Sequence, residues 1–257
     1  MIPIENIPYA IEDSLVDYLE TISKNGNRPF YLDHHLGWVK TFPTAWSNYI
    51  FYANLDDSNI DQHILQIASK MKNGELPTDW VVGPKSYPPD LGEYLEKYNI
   101  KKQYSMAGMA IDIAKLDTAV AMPDHTRVEL VDSKAMLEVW ADIVSNALWN
   151  GQPFEACLFE PLLSNPNYKF YLAFLNEEPV ASSMLILTKG VAEINMVSTM
   201  PTCRRLGLGT AMTIVPLLHA REIGYKIGVL QASVPGEPVY RKIGFEEYCR
   251  FHVYRYQ

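Results

Sequence analysis

Apolar residues recur along this chain with two periods, and the changes of period divide it into elements. Ile11, Leu15, Leu19 and Ile22, with Val16 beside them, follow the three-to-four spacing of one helix face, and Asn25-Gly26-Asn27 ends that helix. Arg28 to Asp33 reads as a short strand, after which an irregular stretch opens at His34-His35-Leu36-Gly37-Trp38 and runs through Pro43 and Trp46. Ser47 to Asn54, rich in Tyr, Ile and Phe, reads as a strand, and Ile60, Ile64, Ile67 and Met71 then share a helix face. A strand over 79–83, a helix over 89–98 opened by Pro88-Pro89, and a long strand over 102–113 follow.

Leu116 to His125 contains Pro123 and no periodicity, so it reads as a linker, and a boundary near residue 120 divides the chain into 1–120 and 121–257. Beyond it come a strand over 126–131 and a helix capped by Asp132 or Ser133, whose Met136, Trp140, Ile143 and Ala147 share a face. A second helix near 154–163 is broken by Asn165-Pro166, and strands over 169–175 and 179–187 are joined by the polar turn Asn176-Glu177-Glu178. A central strand starts at Val191, and a buried helix is expected over 208–223, with Pro216 kinking it or ending its hydrogen bonding early. A strand over 226–233, a helix over 237–243 and a strand over 246–256 close the chain.

The last three elements repeat the order of 79–113, which reads as an internal repeat. Setting Leu95-Glu96-Lys97 against Tyr240-Arg241-Lys242 aligns the shared lysine and puts Leu95 opposite Tyr240. An unrelated α+β domain in the first half is the alternative.

Chemistry concentrates between Val191 and Met212. There an apolar strand meets a helix through a turn carrying Arg204, Arg205, Gly207 and Gly209. The first N–H groups of a helix have no partner within it and, with the helix dipole, attract an anion. Glycines let a phosphate reach the backbone, and arginines add charge. A P-loop is excluded because Gly209 is followed by Thr210-Ala211 instead of Lys-Ser or Lys-Thr. A dinucleotide fingerprint is weak, because Met212 replaces the third small residue and the next strand ends Leu230-Gln231 without an acid. In the first half the corresponding helix is approached through Asp56-Asp57 and carries Asp61 in its first turn, and these carboxylates would repel a phosphate.

Arg204-x-x-Gly207-x-Gly209, preceded by a strand and Pro201, resembles the R/Q-x-x-G-x-G/A signature of the GNAT superfamily of N-acetyltransferases. Ala192-Glu193-Ile194 resembles the strand that bears a general-base glutamate in the histone-acetyltransferase branch, and Val239-Tyr240-Arg241-Lys242-Ile243-Gly244-Phe245 resembles the family's Y-x-K-x-G-F helix end, whose tyrosine serves as general acid. The resemblance covers roughly residues 126–257. It implies an α/β (α+β) GNAT fold, a mixed central sheet flanked by helices, with a catalytic second domain and a degenerate GNAT-like first domain. It implies acetyl-CoA as cosubstrate and direct transfer to a primary amine of a small molecule or peptide, with Glu193 as base and Tyr240 as acid. Arg204, Arg205, Leu206, Gly207, Leu208, Gly209 and Thr210 would hold the pyrophosphate. Met196, Val197 and Ser198 would supply backbone to the pantetheine arm and the oxyanion, and the segment 134–163 would border the acceptor. A non-catalytic acyl-CoA-binding regulatory or interaction module is the alternative function, and a longer acyl group would use the same machinery.

Composition narrows the partners. With 48% hydrophobic and 20% charged residues the chain has an ordinary soluble composition, and its net charge of −8 argues against nucleic acid and leans toward cationic acceptors. Cys157, Cys203 and Cys249 are too widely spaced for a zinc or disulfide pattern, and the adjacent His34-His35 lack a third ligand, so no metal is expected. No apolar run reaches membrane-spanning length and the first residues lack the regions of a signal peptide, so a cytoplasmic protein without a membrane partner is expected, as monomer or homodimer.

Overall fold

A computed structural model describes residues 2–41, 48–55, 57–117 and 119–257; Pro43, Trp46 and Asp56 lie outside them. The first half runs α1 (Ile7–Asn25), β1 (Phe30–Leu32), β2 (Leu36–Lys40), β3 (Asn48–Ala53), α2 (Ile60–Lys72), β4 (Asp79–Val82), α3 (Leu91–Lys97) and β5 (Ile100–Asp112). The second runs β6 (Thr126–Leu130), α4 (Lys134–Leu148), β7 (Tyr168–Leu175), β8 (Glu178–Thr188), β9 (Val191–Thr199), α5 (Leu208–Glu222), β10 (Ile227–Ala232), α6 (Glu237–Ile243) and β11 (Glu246–Tyr256).

Two of these differ from the expectation. Residues 36–40 form a strand, with Gly37 and Val39 buried, where the sequence reads as irregular. The segment 154–163 is two 3₁₀ turns, Ala156–Leu158 and Glu160–Ser164, because Pro161 cannot donate in a helix interior. The helix α5 forms over the expected stretch, to Glu222, with Pro216 inside it and buried.

All strands join one mixed eleven-stranded sheet in the order β1-β2-β3-β4-β11-β5-β10-β9-β8-β7-β6. In each half two strands lie parallel, β3 with β4 and β9 with β10, and each half's last strand is exchanged: β11 pairs with β4 and β5 with β10, both antiparallel. The strands β5 and β11 pair with each other at the centre. The repeat is visible in detail. Asn99 after α3 and Gly244 after α6 both adopt the left-handed conformation that ends a helix, at φ 63° and 109°, and the next residues, Ile100 and Phe245, are both buried. That correspondence sets Leu95 opposite Tyr240.

The helices α1 and α4 cover one sheet face around Leu19, Ile22, Phe51, Trp140 and Phe170, while α5 packs on the other face of the second half and α2 and α3 on that of the first. On α1, Ile11, Leu15, Leu19 and Ile22 are all buried. At roughly 1.5–3 kcal/mol each, their burial holds α1 to the sheet by about 6–12 kcal/mol before chain entropy is counted. Lys189, in the β8–β9 turn, pairs with Asp17 at 2.9 Å, and Lys85 pairs with Asp13, so both halves also grip α1 by charge.

Candidate active site

The helix α5 opens where the sequence places the anion cradle. Gly207, at φ 85°, turns the chain into the helix, and a Cβ there would stand 2.8 Å from the Ala121 carbonyl oxygen, so glycine is required twice over. The Ala211 amide donates to the Gly207 carbonyl at 3.0 Å, which leaves the amides of Leu208, Gly209 and Thr210 directed out of the helix end. A Cβ on Gly209 would meet nothing within 4 Å, and no acidic residue lies in this first turn. The end is open to an anion. Arg205 and Leu206 are exposed beside it. Arg204 points elsewhere: its guanidinium donates to the carbonyls of Thr199 at 3.2 Å and Ala147 at 3.1 Å. It thereby ties the turn to the C-terminal end of α4, a favourable place for a cation.

Next to the cradle the two parallel strands part. β9 and β10 pair only at Ala192–Gly228 and Glu193–Val229, then diverge. Just beyond, the pairing of β9 with β8 slips between Ser182 and Met184, and Met196 takes a positive φ of 51°, a bulge that takes residues 196–197 out of the ladder before pairing resumes at Ser198. The Met196 amide is engaged by the Asn195 carbonyl oxygen Oδ1 at 2.7 Å, and Ser198 Oγ lies 2.5 Å from Ser182 Oγ. Val197 is half-buried at the same bend.

Glu193 stands at the apex of this divergence and faces α1. Its carboxylate is wholly buried, accepts from Ser14 Oγ and from Asn195 Nδ2 at 3.1 Å, and is reached by the side chain of Gln231. Burial pushes its pKa up to about 7, against the pull of those three donors. Gln231 in turn donates to the Ile11 carbonyl at 3.4 Å. Tyr240 lies on the opposite face, edge-on to Phe245 with centroids 5.9 Å apart. Gly236 gives its ring room, since a Cβ there would come within 3.0 Å of it. Desolvation raises the phenol to about 12, so it stays protonated throughout the neutral range.

Sequence reading named Glu193, Tyr240 and the cradle; the fold sets Glu193 under α1, Tyr240 in the cluster on the α5 face, and the open end of α5 after β9. It missed Ser14, Asn195 and Gln231. Ser14 interrupts the apolar stripe of α1, three residues after Ile11, and a polar residue on a buried stripe is the signal that marks it. The rings of His34 and His35 lie 4.0 Å apart, tilted, on the surface, and among the described residues no group of three His, Cys, Asp or Glu side chains is placed to hold a metal ion. No helix among them is long and apolar enough to cross a membrane.

Residues 134–245 match the family model of the acetyltransferase (GNAT) family. A GCN5-related N-acetyltransferase from Kribbella flavida superposes with a TM-score of 0.73 at 18% identity, covering 96% of this chain and 95% of that one. One from Sphaerobacter thermophilus gives 0.64 at 11% identity, covering 99% and 93%. A tandem GNAT protein from the clavulanic acid biosynthesis pathway gives 0.59 at 13% identity, covering 85% and 77%. At these identities the likeness is one of fold, and the fold is the GNAT fold. No curated protein sequence matches the chain.

Proposed function

We propose that this chain, whose residues 134–245 carry a GNAT acetyltransferase domain, is an acyltransferase that moves the acetyl group of acetyl-CoA to a primary amine. The observation that carries the reading is the open amide end of α5 beside the divergence of β9 and β10, with a wholly buried carboxyl of pKa about 7 on one face and a protonated phenol on the other. The amides of Leu208, Gly209 and Thr210, with Arg205, hold the pyrophosphate, and the backbone of 196–198, at the bulge, receives the thioester. The amine nitrogen attacks the thioester carbonyl, a C–N bond forms and the C–S bond breaks. Glu193 accepts the amine's proton and Tyr240 protonates the departing sulfur. The first half binds no CoA: Leu95 stands where the acid stands in the second, and Asp61 lies in the first turn of α2.

The enclosure of Glu193 under α1 favours a second reading, a module that binds acyl-CoA and acetylates nothing. Calorimetric titration of acetyl-CoA, followed by thiol release across a panel of primary amines, decides between them. Binding with amine-dependent thiol release supports the enzyme; binding without release supports the module; absence of binding sinks both.

A further inference from the structure

The sheet ends on β1 at one side and on β6 at the other. The edge strand β1 offers three residues, Phe30–Leu32, whereas β6 offers five, Thr126–Leu130. Bonds at the two ends of β6 show which of its backbone groups are free. The Val131 amide donates to the Phe170 carbonyl at 2.9 Å and the Asn176 amide to the His125 carbonyl at 3.2 Å, so the odd positions turn their backbone toward β7. The N–H and C=O of Val128 and Leu130 therefore point out of the sheet, and no group among the described residues takes them. Side chains alternate between the faces. Val128 packs against the cluster under α5, while the Arg127 guanidinium lies 4.3 Å over the ring of Phe174, which packs on the α4 side. Arg127 pairs there with Glu129 at 2.7 Å and with Glu177 at 2.8 Å. On the other face a groove of about 360 Å³ opens between β6 and α5, walled by Val128, Leu130, Val215 and Leu218, and Leu130 is 44% exposed.

A free edge is a template for another strand, and proteins guard such edges by shortening them or by charging them. The strand β1 is short. The strand β6 instead carries one charge of each sign two residues apart, an arrangement that fits a second copy of itself. In an antiparallel pair about a two-fold axis the outward-facing residues lie opposite one another, so a pairing that overlaps most of the strand centres on residue 127, 128 or 129. Centring on 127 sets Arg127 against the partner's Arg127, and centring on 129 sets Glu129 against the partner's Glu129. Both are repulsive. Centring on 128 sets each Arg127 against the partner's Glu129, lets Val128 exchange two backbone bonds with the partner's Val128, and lays Leu130 opposite the partner's Thr126. We propose that two copies of this chain join at β6 in the register centred on Val128, so that their sheets run on as one. The charges of β6 select that register, and the apolar grooves beside α5 adjoin across the axis. The pairing is independent of acyl transfer.

Analytical ultracentrifugation of the full chain across the micromolar range is the test, and the parent should sediment as a dimer. Arg127→Glu and Glu129→Arg each set two like-charged pairs across the axis and should raise the dissociation constant about tenfold or more. The double variant, and equally a mixture of the two single variants, places opposite charges face to face again and should recover the dimer. Val128→Pro removes an outward N–H and leaves the bonds to β7 in place, so it should keep the parent's circular dichroism and weaken the dimer about tenfold or more. A parent that remains a single chain at the highest concentration overturns the proposal. So does a dimer that a folded Val128→Pro leaves untouched, because its interface lies elsewhere. Charge variants whose loss neither the double variant nor the mixture recovers overturn the register, and they decide the matter alone if Val128→Pro does not fold.

Discussion

Replacing Glu193 by glutamine removes a charge that the fold keeps out of water. The pKa of this group rises from 4.5 in the exposed chain to about 7 in the folded one, and burial is the cause. The native state therefore prefers the protonated form, and its stability falls as pH climbs from the unfolded value through the folded one. With those two values the cost of the ionised group is about 0.8 kcal/mol at about pH 5 and about 3.3 kcal/mol at about pH 8. Glutamine has no such dependence. Whatever constant offset its amide introduces against Ser14 and Asn195, the variant should gain about 2.5 kcal/mol on the parent between those two conditions. A chain of 257 residues has an unfolding entropy that converts this to roughly 5 °C in Tm. Glu12, also raised to about 7 by burial, titrates identically in both proteins and cancels. Differential scanning calorimetry of the pair at both pH values measures the gain. A difference in Tm that stays flat would show that the carboxylate is solvated or already paired with a cation, and the picture of a sealed, uncompensated Glu193 would be wrong.

The same group gives kcat/KM an acidic limb near pH 7, because only the ionised carboxylate accepts a proton; Glu193→Gln should lower kcat by about a hundredfold or more, with acetyl-CoA affinity kept, as steady-state kinetics across pH will show. Tyr240→Phe should lower kcat by about ten- to a hundredfold while calorimetry finds acetyl-CoA binding unchanged; an undiminished kcat removes the phenol from the mechanism. Gly209→Leu, at an open position in the first helical turn, should abolish acetyl-CoA binding without loss of Tm, whereas Gly207→Ala meets a positive φ and the Ala121 carbonyl and should lower Tm. Arg205→Ala should weaken acetyl-CoA binding most at low salt, while Arg204→Ala, which frees the carbonyls of Thr199 and Ala147, should act mainly on Tm. Equal effects of the two arginines on binding would contradict the different directions of their side chains.

What the sequence by itself determined is what a few consecutive residues decide. The turn from β9 into α5 is contiguous, so its glycines and the absence of a first-turn carboxylate could be read directly, and the anion end of the helix followed from backbone geometry. The helices α1, α2 and α5 and most strands were legible for the same reason: a face that must be buried writes its own period. The repeat was legible in the order of its elements. Its strand exchange was not, because a strand's own residues do not name its partner, and pairing across more than a hundred residues is settled by the whole sheet. Tertiary structure alone decided that Glu193 faces α1 and is sealed there, since alternation tells that a strand has two faces and not what covers each. It alone turned Arg204 to two carbonyls and set Ser14 of α1 on Glu193. Those contacts join residues far apart in the chain, and only packing brings them within reach.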